Sequence, residues 1–235
     1  MAQSASFLRP DDPPERSSQP PREAKSESTK RKLLDAAEEE FAAKGFDGAR
    51  LSHIAQSAGV QQALIHHYFE DKAGLYREVV SRALGAMTKE GWDIIDGIAT
   101  KRRGKKRFGE ADIRELVRAF ADLLVRFYST HASVLAILRH EAQRGGRLAT
   151  AGLNATVKPQ FEAVVERLEE MRTRGEIKKD VDPRRLCISA VAMASFPFAD
   201  EHFLTTVWAT DPHAPEFLDG HREELVRMLL ARVLP

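Results

Sequence analysis

Cysteine is almost absent from this 235-residue chain, which contains Cys187 alone. One thiol excludes an intramolecular disulfide and is typical of a reducing cytosol. No apolar run approaches the roughly 20 residues that a membrane-spanning helix requires. The N-terminus has no apolar segment after its first charges, so we expect no secretory signal. These absences together predict a cytoplasmic protein that does not cross a membrane.

An excess of one charge is also missing. The 36 Lys and Arg residues are balanced by 35 Asp and Glu residues, which leaves a net charge of +1. Nucleic-acid-binding domains are often recognised by a basic surplus. Any such function here has to depend on where individual basic residues lie, because the total charge does not indicate it.

Strand-like alternation and hairpin turns are lacking as well. Helical spacing of apolar residues recurs instead along most of the chain. One long helix is predicted from Asp71 or Lys72 to about Ile98, and further helical patterns follow, with Pro197 expected to kink or end one of them. The predicted fold class is therefore all-α, with a small N-terminal head and a larger helical body.

The segment from Arg50 to Leu75, RLSHIAQSAGVQQALIHHYFEDKAGL, contains two short helical patterns. Their apolar positions are Leu51, Ile54, Ala55 and Ala58 in the first, and Leu64, Ile65, Tyr68 and Phe69 in the second. Gly59 lies between them, where a residue in the left-handed conformation ends a helix. Two helices of about two turns each, joined at a glycine, are predicted to form a helix-turn-helix. Helices this short need a third helix to cover them.

A preceding helix is predicted to supply that cover. It is expected to start at Ser28 or Thr29, either of which can cap it, and to end at Gly45. Its apolar stripe consists of Leu33, Leu34, Ala37 and Phe41. Lys30 and its two basic neighbours would then lie in the first turn, where a phosphate could bind free N–H groups and the ammonium groups together. The alternative is a solvated basic turn without a role.

These landmarks, in this order, resemble the N-terminal domain of the tetracycline-repressor (TetR) family. The resemblance covers roughly residues 29–80 and includes the segments KLLDAAEEEFAAKGF, IAQSAGV and ALIHHYFEDKAGLY. Gly45-Phe46 follows the first helix in it, and Tyr68-Phe69 closes the third. The resemblance implies a sequence-specific transcriptional regulator, most often a repressor. Such a regulator acts as a homodimer on a palindromic double-stranded DNA operator and responds to a small-molecule effector.

The resemblance also implies that the second short helix enters the major groove of DNA. The base-facing positions correspond to Gln61, Gln62, Ala63, Leu64 and His66. Glutamine amides suit adenine N6 and N7, while Ala63 and Leu64 offer apolar contact with thymine methyl groups. His66 and His67 are expected to donate to phosphate oxygens. Lys72 corresponds to the phosphate-contacting lysine of the family.

Two positions depart from the family pattern. Where the family usually has Thr or Ser capping the first short helix and touching phosphate, this chain has Arg50. Either Ser52 serves as the cap instead, or Arg50 holds the phosphate directly. His66 stands where tyrosine is commonest, which makes this contact sensitive to pH in the range where imidazoles change charge.

Three regions are predicted along the chain. Residues 1–27 contain five prolines and too few apolar side chains to offset the entropy of ordering, so they are predicted to form a disordered tail. The alternative is that Arg9, Arg16 and Arg22 touch nearby phosphates. Residues 28–75 are predicted to form the DNA-binding domain, and residues 76–235 the effector-binding and dimerisation domain.

The body is interpreted mainly through the resemblance, which implies a homodimer formed by the last two long helices, roughly Pro183 to Phe196 and Gly220 to Val233. It also implies an effector pocket inside the body. Candidate lining residues are Trp92, Phe120, Phe127, His140, Glu141, Phe196, Phe198 and His202. Aromatic residues of this kind are more often plain core. A buried Glu141 needs a partner, either a polar group of an effector or an arginine such as Arg139 or Arg144.

Enzymatic function is not indicated. His140-Glu141 is not followed by a second histidine at the spacing of a zinc protease motif. Cys187 lies among apolar residues and is typical of a small core residue. Asp200, Glu201 and His202 have the ligand types of a metal site but are more typical of a polar helix end. We therefore expect no catalytic residue, no metal and no cofactor.

Two other functions are compatible with the same sequence. One is a constitutive DNA-binding dimer with a filled core and no effector. The other is a helical protein-interaction module whose head binds another protein. A body without any pocket would favour the first, and failure to bind any DNA would favour the second.

Overall fold

The computed structural model describes residues 22–101, 107–143, 145 and 147–234. Within these ranges it contains ten helices and no strand, which confirms the predicted all-α fold class. The helices are α1 Arg22–Gly48, α2 Leu51–Ser57, α3 Ala63–Phe69, α4 Lys72–Lys101, α5 Glu110–Thr130, α6 Ala132–Gln143, α7 Arg147–Thr173, α8 Pro183–Ala199, α9 Glu201–Val207 and α10 Pro215–Val233.

Helix α1 begins at Arg22, about two turns before its predicted start at Ser28 or Thr29. The Thr29 hydroxyl donates to the Lys25 carbonyl oxygen at 2.9 Å and therefore lies inside the helix. Ser26 forms a hydrogen bond at 3.1 Å with the hydroxyl of Tyr68 at the end of α3. Residues 22–27 are thus helical rather than part of the predicted tail. The rest of that tail lies outside the described residues.

Gly45 interrupts the regular helix, as predicted. It has φ +65° and ψ 179°, a conformation that suits a residue without a Cβ atom. The chain continues through one further turn to Gly48 before α2 begins. This break turns the end of α1 toward the helix-turn-helix.

The predicted stripe of α1 forms the centre of the head. Leu33, Leu34, Ala37 and Phe41 are all buried. They join a single apolar cluster with Ile54 of α2, Ile65 of α3 and Leu75 of α4. The same cluster continues into α5, α6, α8 and α10 of the body. Head and body therefore share one core, with no apolar gap at the predicted boundary near residue 75.

Helix α4 connects the head to the far end of the body. Its 30 residues span about 45 Å. Val79, Ala83 and Ile98 are buried along its length. Arg82 bridges α4 to α1 through Asp35 at 2.6 Å and Glu38 at 2.9 Å. A movement of α4 would therefore be transmitted directly to α1.

Two helices of the body, α8 and α10, have bounds that differ from the sequence prediction. Helix α8 begins at Pro183, as predicted, and Asp182 caps it by accepting from the Arg185 N–H at 3.1 Å. Helix α8 then continues through Pro197 to Ala199 instead of ending at about Phe196. Helix α10 starts at Pro215, five residues before the predicted Gly220.

No helix in the described ranges combines the length and the apolar character that crossing a membrane requires.

Candidate DNA-binding surface

The turn between α2 and α3 has the geometry that the sequence predicts. Gly59 has φ +67°, and its N–H donates to the Gln56 carbonyl at 3.1 Å. The next N–H, of Val60, donates to the Ala55 carbonyl at 3.0 Å. A Cβ atom at Gly59 would contact nothing within 4 Å. Glycine is therefore favoured here by the backbone conformation and not by a lack of space.

Most of the predicted base-facing residues share one solvent-exposed surface at the start of α3. Gln61, Gln62, Ala63 and His66 are exposed. Gln61 and Gln62 precede the helix, and their carbonyls accept its first hydrogen bonds, at 3.0 Å from the N–H groups of Leu64 and Ile65. Base contacts of a recognition helix come from this N-terminal end. We name Gln61, Gln62, Ala63, His66 and His67 the reading face.

Leu64 differs from its neighbours because it is half-buried and packs against the core of the head. Ile65 and Phe69, one and five positions further on, are fully buried. Only part of the Leu64 side chain is therefore left for a thymine methyl group. Its first role in this structure is to hold α3 on the head.

The imidazole of His66 is oriented by the end of its own helix. Its Nδ1 lies 2.9 Å from the Glu70 carbonyl oxygen, and because a carbonyl can only accept, Nδ1 carries the proton. Glu70 itself adopts φ +65°. Neutral His66 therefore presents an acceptor at Nε2. Donation to a phosphate from Nε2 requires the doubly protonated ring.

His67 completes the reading face. Its side chain is exposed, and its ring lies edge-on to that of Tyr68 with 5.0 Å between the centroids. The Tyr68 hydroxyl in turn pairs with Ser26 near the start of α1. The C-terminal half of α3 is thus connected to the first turns of α1, a link that spans 42 residues and has no signature in the local sequence.

Arg50, not Ser52, occupies the cap position of α2. Arg50 has extended backbone angles, and its carbonyl accepts from the N–H groups of His53 and Ile54. Ser52 is the second residue inside the helix, and the cap has no side-chain hydrogen bond, so the alternative in which Ser52 serves as the cap is wrong. The Arg50 side chain is exposed and forms no hydrogen bond or ion pair within the described ranges. It is therefore available to a phosphate.

An acidic residue that sequence reasoning missed supports this position. Glu40 accepts from the Arg50 backbone N–H at 3.2 Å and pairs with Lys44 at 2.9 Å. The hydrogen bond from Lys44 is the main reason that the pKa of Glu40 lies below its ordinary value. The i, i+4 spacing of Glu40 and Lys44 was the available signal. The contact with Arg50 depends on the bend at Gly45 and could not be anticipated.

Lys72 is the first residue of α4 and anchors the head internally. Its ammonium donates to the Ala49 carbonyl at 2.5 Å and to the Asp47 carbonyl at 3.3 Å. The same group lies 4.8 Å from the centroid of the Phe46 ring. Lys72 therefore holds the connection between α1 and α2. A phosphate at this helix N-terminus would share the ammonium with those carbonyls.

Lys30 does not occupy the position that the sequence predicted for it. Since α1 begins at Arg22, Lys30 lies in the third turn, where the backbone N–H groups already form helical hydrogen bonds. Its ammonium pairs with Glu78 of α4 at 3.0 Å and lies 5.8 Å from the Phe69 ring centroid. The prediction that Lys30 binds a phosphate in the first turn of α1 is therefore wrong, because Lys30 does not lie in that turn.

Several candidate effector residues are core or near-core residues of the body. The Trp92 indole N–H donates to the Gln160 side-chain oxygen at 2.5 Å, which links α4 to α7. Phe120 packs beside Gly91, where an added Cβ would lie 3.4 Å from its ring. Phe127 is buried and stacks on His131 with 4.5 Å between the centroids. Phe198 is buried as well.

His140 and Glu141 lie at the junction of head and body. Glu141 is 4% exposed, and its carboxylate lies 3.5 Å from the hydroxyl of Tyr76 in α4. An added Cβ at Gly45 would lie 3.4 Å from the His140 ring. The buried carboxylate therefore has the Tyr76 hydroxyl beside it. The sequence had suggested only an arginine or an effector as its partner. Arg144 lies outside the described residues.

Phe196 and His202 lie on the outside of the body. Phe196 is 46% exposed, and His202 is exposed on α9. Two surface depressions of about 410 and 530 Å³ occur elsewhere, at the end of α10 and around the connection between α7 and α8. Neither depression is lined by a predicted effector residue. The prediction that Phe196 and His202 line an interior pocket is therefore wrong, because both side chains face solvent.

The described part of the chain offers little that resembles catalytic chemistry. It contains no group of three or more His, Cys, Asp or Glu side chains placed to hold a metal ion. Burial raises the pKa of Cys187 to about 11, and a protonated thiol is a poor nucleophile.

Most of the chain is similar in sequence to transcriptional regulators. Residues 33–79 match the profile described as bacterial regulatory proteins, tetR family, and residues 114–229 match the profile described as tetracyclin repressor-like, C-terminal domain. The probable HTH-type transcriptional regulator YttP of Bacillus subtilis is 22% identical over 201 residues, which cover 84% of this chain and 90% of YttP. The repressor SCO4008 of Streptomyces coelicolor is 24% identical, over 72% of this chain and 78% of its own length.

Solved structures share the fold at low sequence identity. FadR from Bacillus subtilis, in complex with stearoyl-CoA, superposes with a TM-score of 0.63 at 16% identity over 86% of this chain and 97% of that one. The ketosteroid regulator KstR2 of Mycobacterium tuberculosis gives 0.56 at 18% identity over 88% and 95% of the two chains. These structural similarities establish the fold of the head and of the body.

Proposed function

The chain belongs to the tetracycline-repressor family of DNA-binding transcriptional regulators, and on that basis we propose that it is a ligand-responsive repressor. In this proposal a homodimer binds a palindromic operator. Residues 28–75 bind the DNA, and residues 76–235 hold the effector and the dimer contact. A repressor acts in the compartment of its DNA, so we propose a cytoplasmic location.

The exposure of the reading face is the observation that carries the proposal. Gln61 and Gln62 stand at the N-terminal end of α3, and their amides are exposed. A glutamine amide can pair with adenine N6 and N7 at once, a contact that contributes about 1–3 kcal/mol of base discrimination. Ile65 and Phe69 hold the opposite side of α3 in the core. The helix therefore presents these amides on a rigid support.

Phosphate contacts would set the position of this face on the duplex. Arg50 stands at the cap of α2 and Lys72 at the first turn of α4, on either side of α3 along the chain. Both are placed where a helix N-terminus adds its own attraction for an anion. In the proposed complex Arg50 binds one phosphate through its guanidinium. Lys72 keeps the connection between α1 and α2 in place and faces a second phosphate.

A homodimer is proposed because one short recognition helix contacts only a few base pairs of DNA. Two recognition helices related by a twofold axis read half-sites one helical turn apart, about 34–36 Å. The proposed contact uses α8 and α10, which correspond to the two predicted interface helices. Exposed apolar residues on both, Ile188 and Met228 among them, support that choice.

The effector response is proposed as a shift between two populations of the dimer. Helix α4 touches the head through Lys72, and Tyr76 of the same helix faces Glu141 of α6. A ligand bound in the body that displaces α4 would therefore change the spacing of the two reading faces. Coupling of about 1–3 kcal/mol is enough for such a response. Trp92, Phe120 and Phe127 remain the candidate lining.

Selection from a pool of random duplexes at about 0.15 M salt tests the function. We expect the wild-type chain to enrich a palindromic motif with half-sites about one helical turn apart. Enrichment of half-sites without the palindrome would remove the dimer from the proposal. Binding that is blind to sequence would contradict the reading face.

A constitutive dimer without effector is the second candidate. It is favoured by the burial of Phe127 in the core and by the Trp92–Gln160 hydrogen bond, because both predicted lining residues already have partners within the protomer. Operator release by a small molecule in a screen with the selected duplex separates this candidate from the ligand-responsive repressor.

A further inference from the structure

Large apolar side chains are exposed on one part of the body. In the described ranges every such residue lies between α8 and α10, and none lies in the head or in α4 to α7. The seven residues are Ile188, Val191, Phe196, Phe203, Val207, Trp208 and Met228. Exposed apolar residues that adjoin one another on a folded chain mark an interaction site. Four of the seven lie on α8 and α10, the helices of the proposed dimer contact, and the other three lie on α9 or directly after it.

Helix α9 and the residue that follows it contribute three of these seven side chains, as many as α8. Of its seven residues only Leu204 is buried. Phe203 and Val207 are exposed, and Trp208, the residue after the helix, is 60% exposed. About half of their apolar surface is therefore left uncovered by the protomer itself. Burial elsewhere is therefore the favourable state of this surface.

The segment around Trp208 is nevertheless held in a defined conformation. The Leu204 carbonyl accepts from the N–H groups of both Trp208, at 3.1 Å, and Thr210, at 3.2 Å. Ala209 between them adopts φ +48°, a left-handed conformation that costs an alanine about 1 kcal/mol or more. These hydrogen bonds fix the direction in which Trp208 projects.

The aromatic rings of this region also form a single cluster. Phe196 and Phe203 lie 6.4 Å apart and Phe203 and Trp208 5.1 Å apart between centroids, each pair in a T-shaped arrangement. We name Phe196, Phe203, Val207 and Trp208 the aromatic arm. Aromatic residues are enriched at the centre of protein–protein interfaces, and tryptophan is the most frequent residue to dominate their affinity.

The arginines that flank the patch on α8 and α10 are compensated within the protomer. Around a twofold axis a face meets its own copy, so an unbalanced charge would lie opposite a like charge. The arginines nearby are paired inside the protomer. Arg184 pairs with Glu162 at 2.6 Å, Arg222 pairs with Asp122 at 2.9 Å, and Arg227 pairs with Glu224. These three guanidinium groups therefore do not present uncompensated positive charge to a second copy.

The exposed area of the patch also favours a second copy of the chain as its partner. A standard interface buries about 800 Å² on each partner. Four of the seven exposed side chains, Ile188, Val191, Phe196 and Met228, belong to α8 and α10. The region of α9 adds Phe203, Val207 and Trp208, which are 41–60% exposed, so about half of the roughly 150–250 Å² that an aromatic side chain can bury is still available on each ring. The aromatic arm thus supplies a large share of the area that a stable dimer needs.

We infer that a second copy of this chain covers the aromatic arm, so that Trp208 of each protomer is buried in the dimer. The inference rests on the proposed homodimer and extends it, because the contact reaches beyond α8 and α10 onto α9. Trp208 then acts as the anchor of the interface, and the rigid turn at Ala209 prepares it for docking.

Tryptophan fluorescence tests this placement directly, because the chain has only two tryptophans, Trp92 and Trp208. In Trp92→Phe, Trp208 is the sole indole emitter. We expect its emission to shift to shorter wavelength, and its quenching by acrylamide to fall, as the protein concentration rises through the dimer dissociation constant. Sedimentation velocity on the same samples reports the oligomeric state. A dimer in which Trp208 stays fully quenchable would overturn the inference and leave the homodimer intact.

A substitution gives the second measurement. Trp208→Ala is expected to weaken dimerisation by about thirtyfold, the effect of an anchor residue, while Thr206→Ala on the exposed side of the same helix should change it less than twofold. Circular dichroism checks that both variants keep their helices. An unchanged dimer in Trp208→Ala overturns the inference. A wild-type chain that is monomeric at all concentrations overturns both the inference and the proposed homodimer.

Discussion

His221 of α10 donates a hydrogen bond from Nε2 to the backbone carbonyl of Met193 in α8, at 3.1 Å. Met193 precedes Pro197 by four residues, and proline has no N–H to donate to that carbonyl. The imidazole therefore replaces the missing helical donor and allows α8 to continue to Ala199. It also joins the two helices of the proposed dimer contact. The His221 ring stacks on Phe217 with 5.4 Å between centroids.

Replacement of His221 by leucine should destabilise the fold by about 1–3 kcal/mol, because the Met193 carbonyl would lose its partner in a half-buried position. The free energy of unfolding in urea measures the change. Glu223→Leu is the matched control, since Glu223 is exposed on the same helix and should change stability little. Equal stability of both variants would show that the hydrogen bond contributes nothing.

Stability should also depend on pH through His221. Burial lowers the pKa of His221 below its ordinary value of 6.5, so the unfolded chain takes up this proton before the folded chain does. Stability is then complete above about pH 6.5 and falls as the pH drops toward the folded pKa. His221→Gln keeps a donor for Met193 but does not titrate. Unfolding curves of wild type and variant should diverge below pH 6.5, and parallel curves would contradict this assignment.

Lys72→Ala is expected to weaken binding to every duplex by a similar factor and to reduce the slope of log affinity against log salt by about 0.9 for the lost phosphate contact. The variant should also unfold more easily, because the Ala49 and Asp47 carbonyls lose their donor. Lys89→Ala on the same helix, whose ammonium is exposed and paired with Asp93, is the control. A full salt slope in a folded Lys72→Ala would show that Lys72 serves the fold alone.

Glu176 is a buried residue whose replacement should stabilise the protein. It is 7% exposed, and neither carboxylate oxygen has a hydrogen-bond partner within the described ranges. A buried polar group without a partner costs about 1–3 kcal/mol. Glu176→Leu should therefore raise the free energy of unfolding by a similar amount, whereas Glu166→Leu at an exposed site of α7 should not. Loss of stability in Glu176→Leu would mean that the carboxylate has a structural role.

The head could be predicted from sequence because its signals are local. Gly45 and Gly59 both adopt the left-handed conformation at the ends predicted for them. The start of α1 could not be predicted in this way, since Ser26 bonds to Tyr68, 42 residues away. Because the predicted start of α1 was about two turns too late, Lys30 was wrongly assigned to the helix N-terminus.

The body was predicted less well. Periodicity identifies the apolar side of a helix but does not show whether the same protomer or a second copy covers it. Phe196 was assigned to the effector pocket that the family resemblance implies, although it is exposed beside Phe203. The burial of Glu141 and its proximity to Tyr76 depend on how α4 and α6 pack, which no local pattern records.

The central claim is that the reading face determines which bases are bound, and Gln62→Ala tests it most directly. Wild type, Gln62→Ala and the control Gln143→Ala, whose residue is exposed at the end of α6, are each used to select duplexes from the same random pool. We predict that all three enrich the same palindrome, and that Gln62→Ala alone loses its preference at one position in each half-site. An unchanged motif in Gln62→Ala, with the wild-type preference kept at every position, would contradict the account.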